Sequence, residues 1–177
     1  MLNVAVIGTG NMGRNHIRTY SEIENANLVA ISDIDEKVGR ELSEKFRCSF
    51  YNDYNDMFEK ERIDIVSICV PTFLHHKICL DVIKHKINFL VEKPIAKNAR
   101  EANDIIVKAK LAGVKMTVGH IERFNPAVQK LKEMIDEGKL GNVTSVLAKR
   151  VGVFPPQIKD ANVVIDLAVH DLSLIHI

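Results

Sequence analysis

Short apolar runs alternate with amphipathic stretches from the start of this chain, and that alternation limits the possible folds more than any other feature. The strand-like runs are Leu2–Ile7, Asn27–Ser32, Ile63–Val70, Ile87–Val91 and Val114–Gly119. Between them, Asn11–Tyr20, Asp35–Phe46, Thr72–Lys86 and Asn98–Ala112 carry helical spacing. In the last of these, Ala102, Ile105, Ile106, Ala109 and Ala112 form the apolar stripe of a helix lying on a sheet, and Gly113 follows as a stop. Continuous apolar strands joined by helices predict a parallel sheet covered on both faces. Ser49–Tyr51 is a candidate edge strand.

The pattern changes near residue 120. Asn125-Pro126 reads as the cap and first residue of a helix that ends near Glu137, before Gly138. A strand-like stretch over Val143–Val153 follows, then Pro155-Pro156, then a helix from about Asn162. No repeat and no linker rich in Gly or Ser marks the change.

Gly8-Thr9-Gly10-Asn11-Met12-Gly13 matches G-x-G-x-x-G between a predicted strand and a predicted helix, the context that gives this short motif meaning. Gly8 permits the tight turn, Gly10 lets a pyrophosphate approach the backbone, and Gly13 lets helix and strand pack closely. The first turn of the helix, with Asn11 and Met12, offers N–H groups and a positive dipole end to phosphates. Asp33 ends the second strand twenty residues beyond Gly13, where a carboxylate accepts from the adenosine ribose hydroxyls. The plainer alternative is a glycine turn followed by a helix-capping aspartate. Asp33 would repel a 2′-phosphate and the next residue is Ile34, so NAD is favoured over NADP. Lys37 or Arg40 could still reach such a phosphate.

Ligands of open parallel sheets bind beyond the carboxyl ends of the strands. Two such ends here are unusual, Val70-Pro71-Thr72-Phe73-Leu74-His75-His76, with Thr72 placed to cap a helix, and Leu90-Val91-Glu92-Lys93-Pro94. Lys93 would stand at the ligand edge, and Pro94 would stiffen its turn, with a cis bond as one option. A solvated strand-end lysine is the alternative. Later, Asp166 and His170 sit four apart in Val163-Val164-Ile165-Asp166-Leu167-Ala168-Val169-His170, an otherwise apolar helical stretch. A carboxylate that orients an imidazole makes a general base near neutral pH, although a structural Asp–His pair would look the same.

Composition excludes several classes. Lys plus Arg is 24 and Asp plus Glu is 23, a net charge of +1, which argues against a nucleic-acid partner. Forty-six per cent hydrophobic and 27% charged residues fit a folded globular chain. No apolar run approaches the roughly 18 residues of a membrane helix, and the N-terminus reads without a secretory leader. Cys48, Cys69 and Cys79 are odd in number and without a C-x-x-C pair, so neither a disulfide framework nor a zinc site is expected, and a reducing cytoplasmic setting is.

With Gly8–Gly13, Glu92-Lys93-Pro94 and Asp166-x-x-x-His170 in this order, the chain resembles the Gfo/Idh/MocA family of NAD(P)-dependent oxidoreductases. The resemblance extends to about Asp171. It implies an α/β fold: a Rossmann doubly wound parallel sheet over residues 1–120, then the beginning, over 121–177, of an α/β substrate domain with a mostly antiparallel sheet, incomplete here. It implies that Lys93 contacts the nicotinamide ribose and the reacting hydroxyl, that His170 is the acid/base, and that Asp166 positions the sugar or the imidazole. Pro71, Thr72, His75 and Glu92 match the family's cofactor-side segments. Gly119–Pro126 and Ala148–Pro156 look most like the branch that oxidises the 3-hydroxyl of UDP-N-acetylglucosamine, with Arg123, Lys149 and Arg150 as candidates to hold a diphosphate, or else ion-pair partners. Other readings are a dehydrogenase of a free sugar or inositol, a cofactor-binding regulator without turnover, and a redox-neutral lyase or glycosidase that recycles NAD. Retention of Lys93, Asp166 and His170 argues against the regulator. The resemblance implies a homo-oligomer at full length. It also makes this a C-terminally truncated chain expected to bind NAD without turning over, with the apolar tail from about Leu172 a candidate for non-native sequence.

Overall fold

The computed structural model describes residues 1–150 and 167–177. The chain divides into two compact units, Met1–Gly119 and His120–Ile177.

The first unit is a parallel sheet of six strands, β1 (Leu2–Ile7), β2 (Ala26–Ser32), β3 (Ser49–Tyr51), β4 (Ile65–Ile68), β5 (Asn88–Val91) and β6 (Met116–Val118). Their order is β3-β2-β1-β4-β5-β6 and every pairing is parallel. Helices α1 (Asn11–Glu22), α2 (Glu36–Phe46), α3 (Tyr54–Lys60), α4 (Thr72–Lys84) and α5 (Ala99–Ala112) make the crossovers. The central strands are apolar because helices cover them on both faces: Ala5, Val6, Val66, Ile68 and Val91 are all sealed from water. Two cores result. The larger gathers Ala5, Val66, Phe89, Ile78, Val82 and Ile105, and the smaller joins Val6, Ile17, Ile31 and Leu42. Within the predicted stripe of α5, Ile105 and Ala109 are buried while Ile106 is half exposed. Burial of a side chain such as Ile105 contributes about 1.5–3 kcal/mol. Gly113 ends α5 in the left-handed region, φ +69°, as its position predicts.

The sheet runs outward in opposite directions from β1, to β2 and β3 on one side and to β4, β5 and β6 on the other. That reversal opens a crevice at the carboxyl ends of β1 and β4. The sequence does not reveal α3, a seven-residue helix capped by Asp53 through the Asn55 N–H. It is too short to show a full apolar stripe, and only Met57 and Phe58 are buried.

The second unit holds a 3-10 turn, Ile121–Phe124, and helices α6 (Pro126–Asp136) and α7 (Val169–Ile175). Asn125 caps α6 by accepting from the Ala127 N–H, with Pro126 as first residue. The strand expected over Val143–Val153 is not found over residues 143–150, which are irregular and exposed. A strand needs a ladder partner, and the described residues of this unit contain none. Residues 151–166, which include Asp166 and Pro155-Pro156, lie outside the described residues. The helix expected from about Asn162 is therefore described only in its later part, as two residues of wider π-type turn leading into α7.

Candidate cofactor site

The glycine turn follows from close approach. Gly8 adopts φ +92°, and a Cβ there would lie 2.4 Å from the Cys69 carbonyl oxygen at the end of β4. At Gly13 a Cβ would lie 1.9 Å from the Gly8 carbonyl oxygen, so α1 can press against the turn only without a side chain. Gly10 has no heavy atom within 4 Å of the corresponding position and caps α1 without a side-chain hydrogen bond. The first-turn N–H groups of α1 therefore carry no side-chain acceptor from their cap, the arrangement in which helix termini take anions.

Asp33 locks this turn to β2. One carboxylate oxygen accepts from both the backbone N–H and the hydroxyl of Thr9, the latter at 2.7 Å, and the other accepts from the Asp35 N–H at 2.9 Å. Thr9 is buried, and the Gly8 N–H donates to the Ser32 carbonyl at 2.8 Å. Thr9 escapes a sequence reading because the motif leaves its position free. Turn and carboxylate border one cavity of about 420 Å³, lined also by Ile34, Asn52, Tyr54, Val70, Pro71, Leu74 and Lys77. Ile34 is 91% exposed, an apolar side chain held at the mouth of a cavity rather than in a core. Tyr54 donates to Asp81 at 3.0 Å, and burial, with that carboxylate, pushes its phenol up to about 12.

Of the residues singled out from the sequence, Gly8, Gly10, Asp33 and Pro71 line this cavity; Asn11, Met12 and Gly13 form the start of α1 beside it. The expected cap of α4 moves by one residue. Thr72 is the first residue of α4 and does not cap it; Pro71 holds the cap position. His75 is buried inside α4, with its ring nitrogens 2.9 Å from the carbonyl oxygens of Val70 and Pro94. It braces the end of β4 against the Lys93-Pro94 turn. Glu92 is also buried, its carboxylate 2.9 Å from His16 Nε2 and accepting from the Lys93 N–H at 3.3 Å. The Lys93-Pro94 bond is cis.

In the second unit Arg123 donates to the hydroxyl and carbonyl oxygens of Ser173 at 2.7 and 3.0 Å. Arg150 pairs with Asp171 at 2.9 Å and with Glu122 at 3.9 Å. That contact holds the Asp171 carboxyl below its ordinary range and raises the Arg150 guanidinium. Both arginines thus have hydrogen-bonding or ion-pair partners within their own unit. Lys149 is exposed, and His170 lies in α7, partly buried.

A parallel sheet with a glycine turn at its switch point and a carboxylate ending β2 defines a dinucleotide-binding α/β fold. The chain belongs to the Gfo/Idh/MocA oxidoreductase family, whose NAD-binding Rossmann domain matches residues 2–120. It is 29% identical to UDP-N-acetylglucosamine 3-dehydrogenase of Acidithiobacillus ferrooxidans over 98% of this chain and 53% of that protein. The solved structure of that enzyme, GnnA, superposes with a TM-score of 0.86, covering 98% of this chain and 55% of its own. Myo-inositol 2-dehydrogenase of Thermotoga maritima is 28% identical over 98% of this chain and 53% of its length. GenD2 from gentamicin A biosynthesis, solved in complex with NAD, is 26% identical with a TM-score of 0.75, covering 78% of this chain and 40% of its own. The chain spans about half the length of the curated relatives it matches.

Proposed function

We propose that the crevice binds NAD, and that the whole protein oxidises a hydroxyl of a sugar or nucleotide sugar to a ketone. The observation that carries the cofactor reading is the Asp33 clamp on Thr9, which sets a carboxylate beside a glycine turn that admits no Cβ at Gly8 or Gly13. The residues fit a dinucleotide. Gly8, Gly10 and the α1 terminus would take the pyrophosphate, and Asp33 keeps one acceptor site, on the oxygen that accepts from the Asp35 N–H, for a ribose hydroxyl. NAD over NADP is supported by the charge of Asp33 and by Arg40, which is bound to Glu36 at 2.6 Å on α2. When bound, this cofactor supplies the hydride acceptor.

In the proposed reaction His170 removes the proton of the substrate hydroxyl, Asp166 positions the imidazole or the sugar, and Lys93 stabilises negative charge developing on the oxygen. The substrate assigned is UDP-N-acetylglucosamine, oxidised at its 3-hydroxyl. An inositol or free sugar is the second reading, favoured by the near-equal identity to the inositol dehydrogenase. Residues 121–177 would open the substrate domain, and a homo-oligomer of the whole protein in a reducing cytoplasm completes the proposal. Three free thiols fit that setting, and no helix among the described residues is long and apolar enough to cross a membrane.

The test is NAD reduction by the protein expressed from its complete reading frame, with UDP-N-acetylglucosamine, myo-inositol and glucose in parallel. Turnover with the nucleotide sugar is expected. Preference for inositol would replace that assignment, and reduction with none of the three would contradict the sugar reading. Lys93→Ala and His170→Ala are each expected to cut kcat by about 10²–10⁴-fold; unchanged rates would overturn the assigned roles.

A further inference from the structure

None of the residues lining the crevice explains a buried polar chain that begins on α1. His16, in the second turn of that helix, has Nε2 2.9 Å from Glu92 Oε1 and Nδ1 3.1 Å from Ser67 Oγ. Ser67, on β4, is in turn 2.8 Å from the Tyr20 hydroxyl. Ser67 is fully buried and Glu92 is 6% exposed. With His16 neutral, every partner is satisfied in one direction: Tyr20 O–H donates to Ser67, Ser67 O–H to His16 Nδ1, and His16 Nε2–H to Glu92. Burial holds the Tyr20 phenol above its ordinary range, which keeps that first donor protonated. The chain therefore runs through α1, β4 and the end of β5.

Glu92 is what gives the chain consequence. Its second oxygen accepts from the Lys93 N–H at 3.3 Å, and a Cβ on Gly119, just after β6, would come within 2.9 Å of its first. The carboxylate is thus wedged between two strand ends and held from a third side by His16. A buried carboxylate adopts a fixed position only where donors fix it. Helix α1 starts at the glycine turn, so the side chain that fixes Glu92 belongs to the same rigid element as the pyrophosphate site.

We propose that His16 is a positioning residue for the nicotinamide half of the cofactor site. It ties α1 to the Glu92 carboxylate and thereby sets the Glu92-Lys93-Pro94 turn, Lys93 included, in register with the glycine turn. The inference rests on the NAD reading above.

Isothermal titration of the chain with NAD and, separately, with ADP tests it. ADP carries the adenosine and both phosphates but not the nicotinamide ribose. His16→Ala is expected to weaken NAD about tenfold while ADP affinity stays within about twofold. His16→Gln, whose amide N–H can still reach Glu92, is expected to recover most of the NAD affinity. His16→Asn, with a shorter amide, should behave as His16→Ala and serves if the alanine variant does not fold. Because His16 acts through Lys93, adding His16→Ala to Lys93→Ala should cost no further NAD affinity. Equal losses for NAD and ADP, or full additivity with Lys93→Ala, would overturn the proposal and leave His16 a packing residue. A folded wild-type chain that binds neither ligand would instead sink the NAD reading, whereas wild-type binding unchanged by His16→Ala sinks only this inference.

Discussion

Both oxygens of Asp33 are already engaged, one by Thr9 and one by the Asp35 N–H, so its carboxylate shapes the glycine turn before any ligand arrives. Asp33→Asn keeps one acceptor but loses the charge and the second. We expect NAD affinity to fall about tenfold and the preference over NADP to narrow, read by titration with both dinucleotides. Tyr54, on the wall of the same cavity, offers a pH signature. Burial and the Asp81 carboxylate raise its phenol to about 12. Burial acts the other way on Asp81, but hydrogen bonds from Lys84 and Tyr54 outweigh it and hold that carboxyl below its ordinary range. A phenol raised in the folded state contributes stability that is present below its unfolded value near 10 and lost as pH rises through about 12. Spectrophotometric titration of the wild type against Tyr54→Phe should therefore find Tyr54 ionising late, and the substitution should remove that residue's share of the alkaline loss of stability, the raised Tyr20 and Tyr51 phenols keeping theirs; ionisation of Tyr54 near 10 would contradict the assigned environment. The thiols behave likewise: burial pushes Cys48 up to about 11 and Cys79 up to about 12, and raises Cys69 as well. At about pH 8 all three should resist a thiol reagent until the chain is unfolded; rapid labelling of the folded protein would contradict that. Gly8, Gly13 and Asp33 are legible in the sequence because their spacing is local and their physical jobs are specific. Thr9 and His16 are not, since their partners stand 24, 51 and 76 positions away, on strands whose pairing no local pattern reveals.

At the scale of elements, α2 meets the edge strand β3 where Gly39 faces Phe50. A Cβ on Gly39 would lie 2.0 Å from the ring. Alanine at a helix interior gains about 1 kcal/mol over glycine in propensity. Forcing the Phe50 ring aside costs about 1–3 kcal/mol. We predict that Gly39→Ala lowers stability by about 1 kcal/mol net in denaturant unfolding; stabilisation would mean that the ring yields freely. The elements of the sheet unit are readable wherever an apolar run is long enough, and their edges shift by at most two residues, as in β4, expected over Ile63–Val70 and found over Ile65–Ile68. The short helix α3 was hidden because seven residues do not complete two turns. The strand expected over Val143–Val153 failed for another reason. Apolar content predicts the capacity to pair, whereas a strand also needs a neighbour, and the described part of that stretch has none.

For the whole molecule, the two units differ in how their chemistry is organised. In Met1–Gly119 the strand order alone gathers the glycine turn, Asp33 and Pro71 around one crevice. In His120–Ile177 the arginines proposed for substrate turn toward Ser173, Asp171 and Glu122. We accordingly propose that cofactor recognition belongs to the sheet unit and substrate choice to the protein at the length of its relatives. The crevice at the β1 and β4 ends is proposed to take NAD. Titration calorimetry of the folded chain with NAD, repeated in the presence of ADP and with Gly13→Val, tests it most directly. We expect saturable binding at one site per chain, competition by ADP, and loss of binding when a side chain at position 13 is driven into the Gly8 carbonyl. A wild-type chain that is folded and binds no NAD, or a Gly13→Val chain that binds it undiminished, would contradict NAD binding in this crevice.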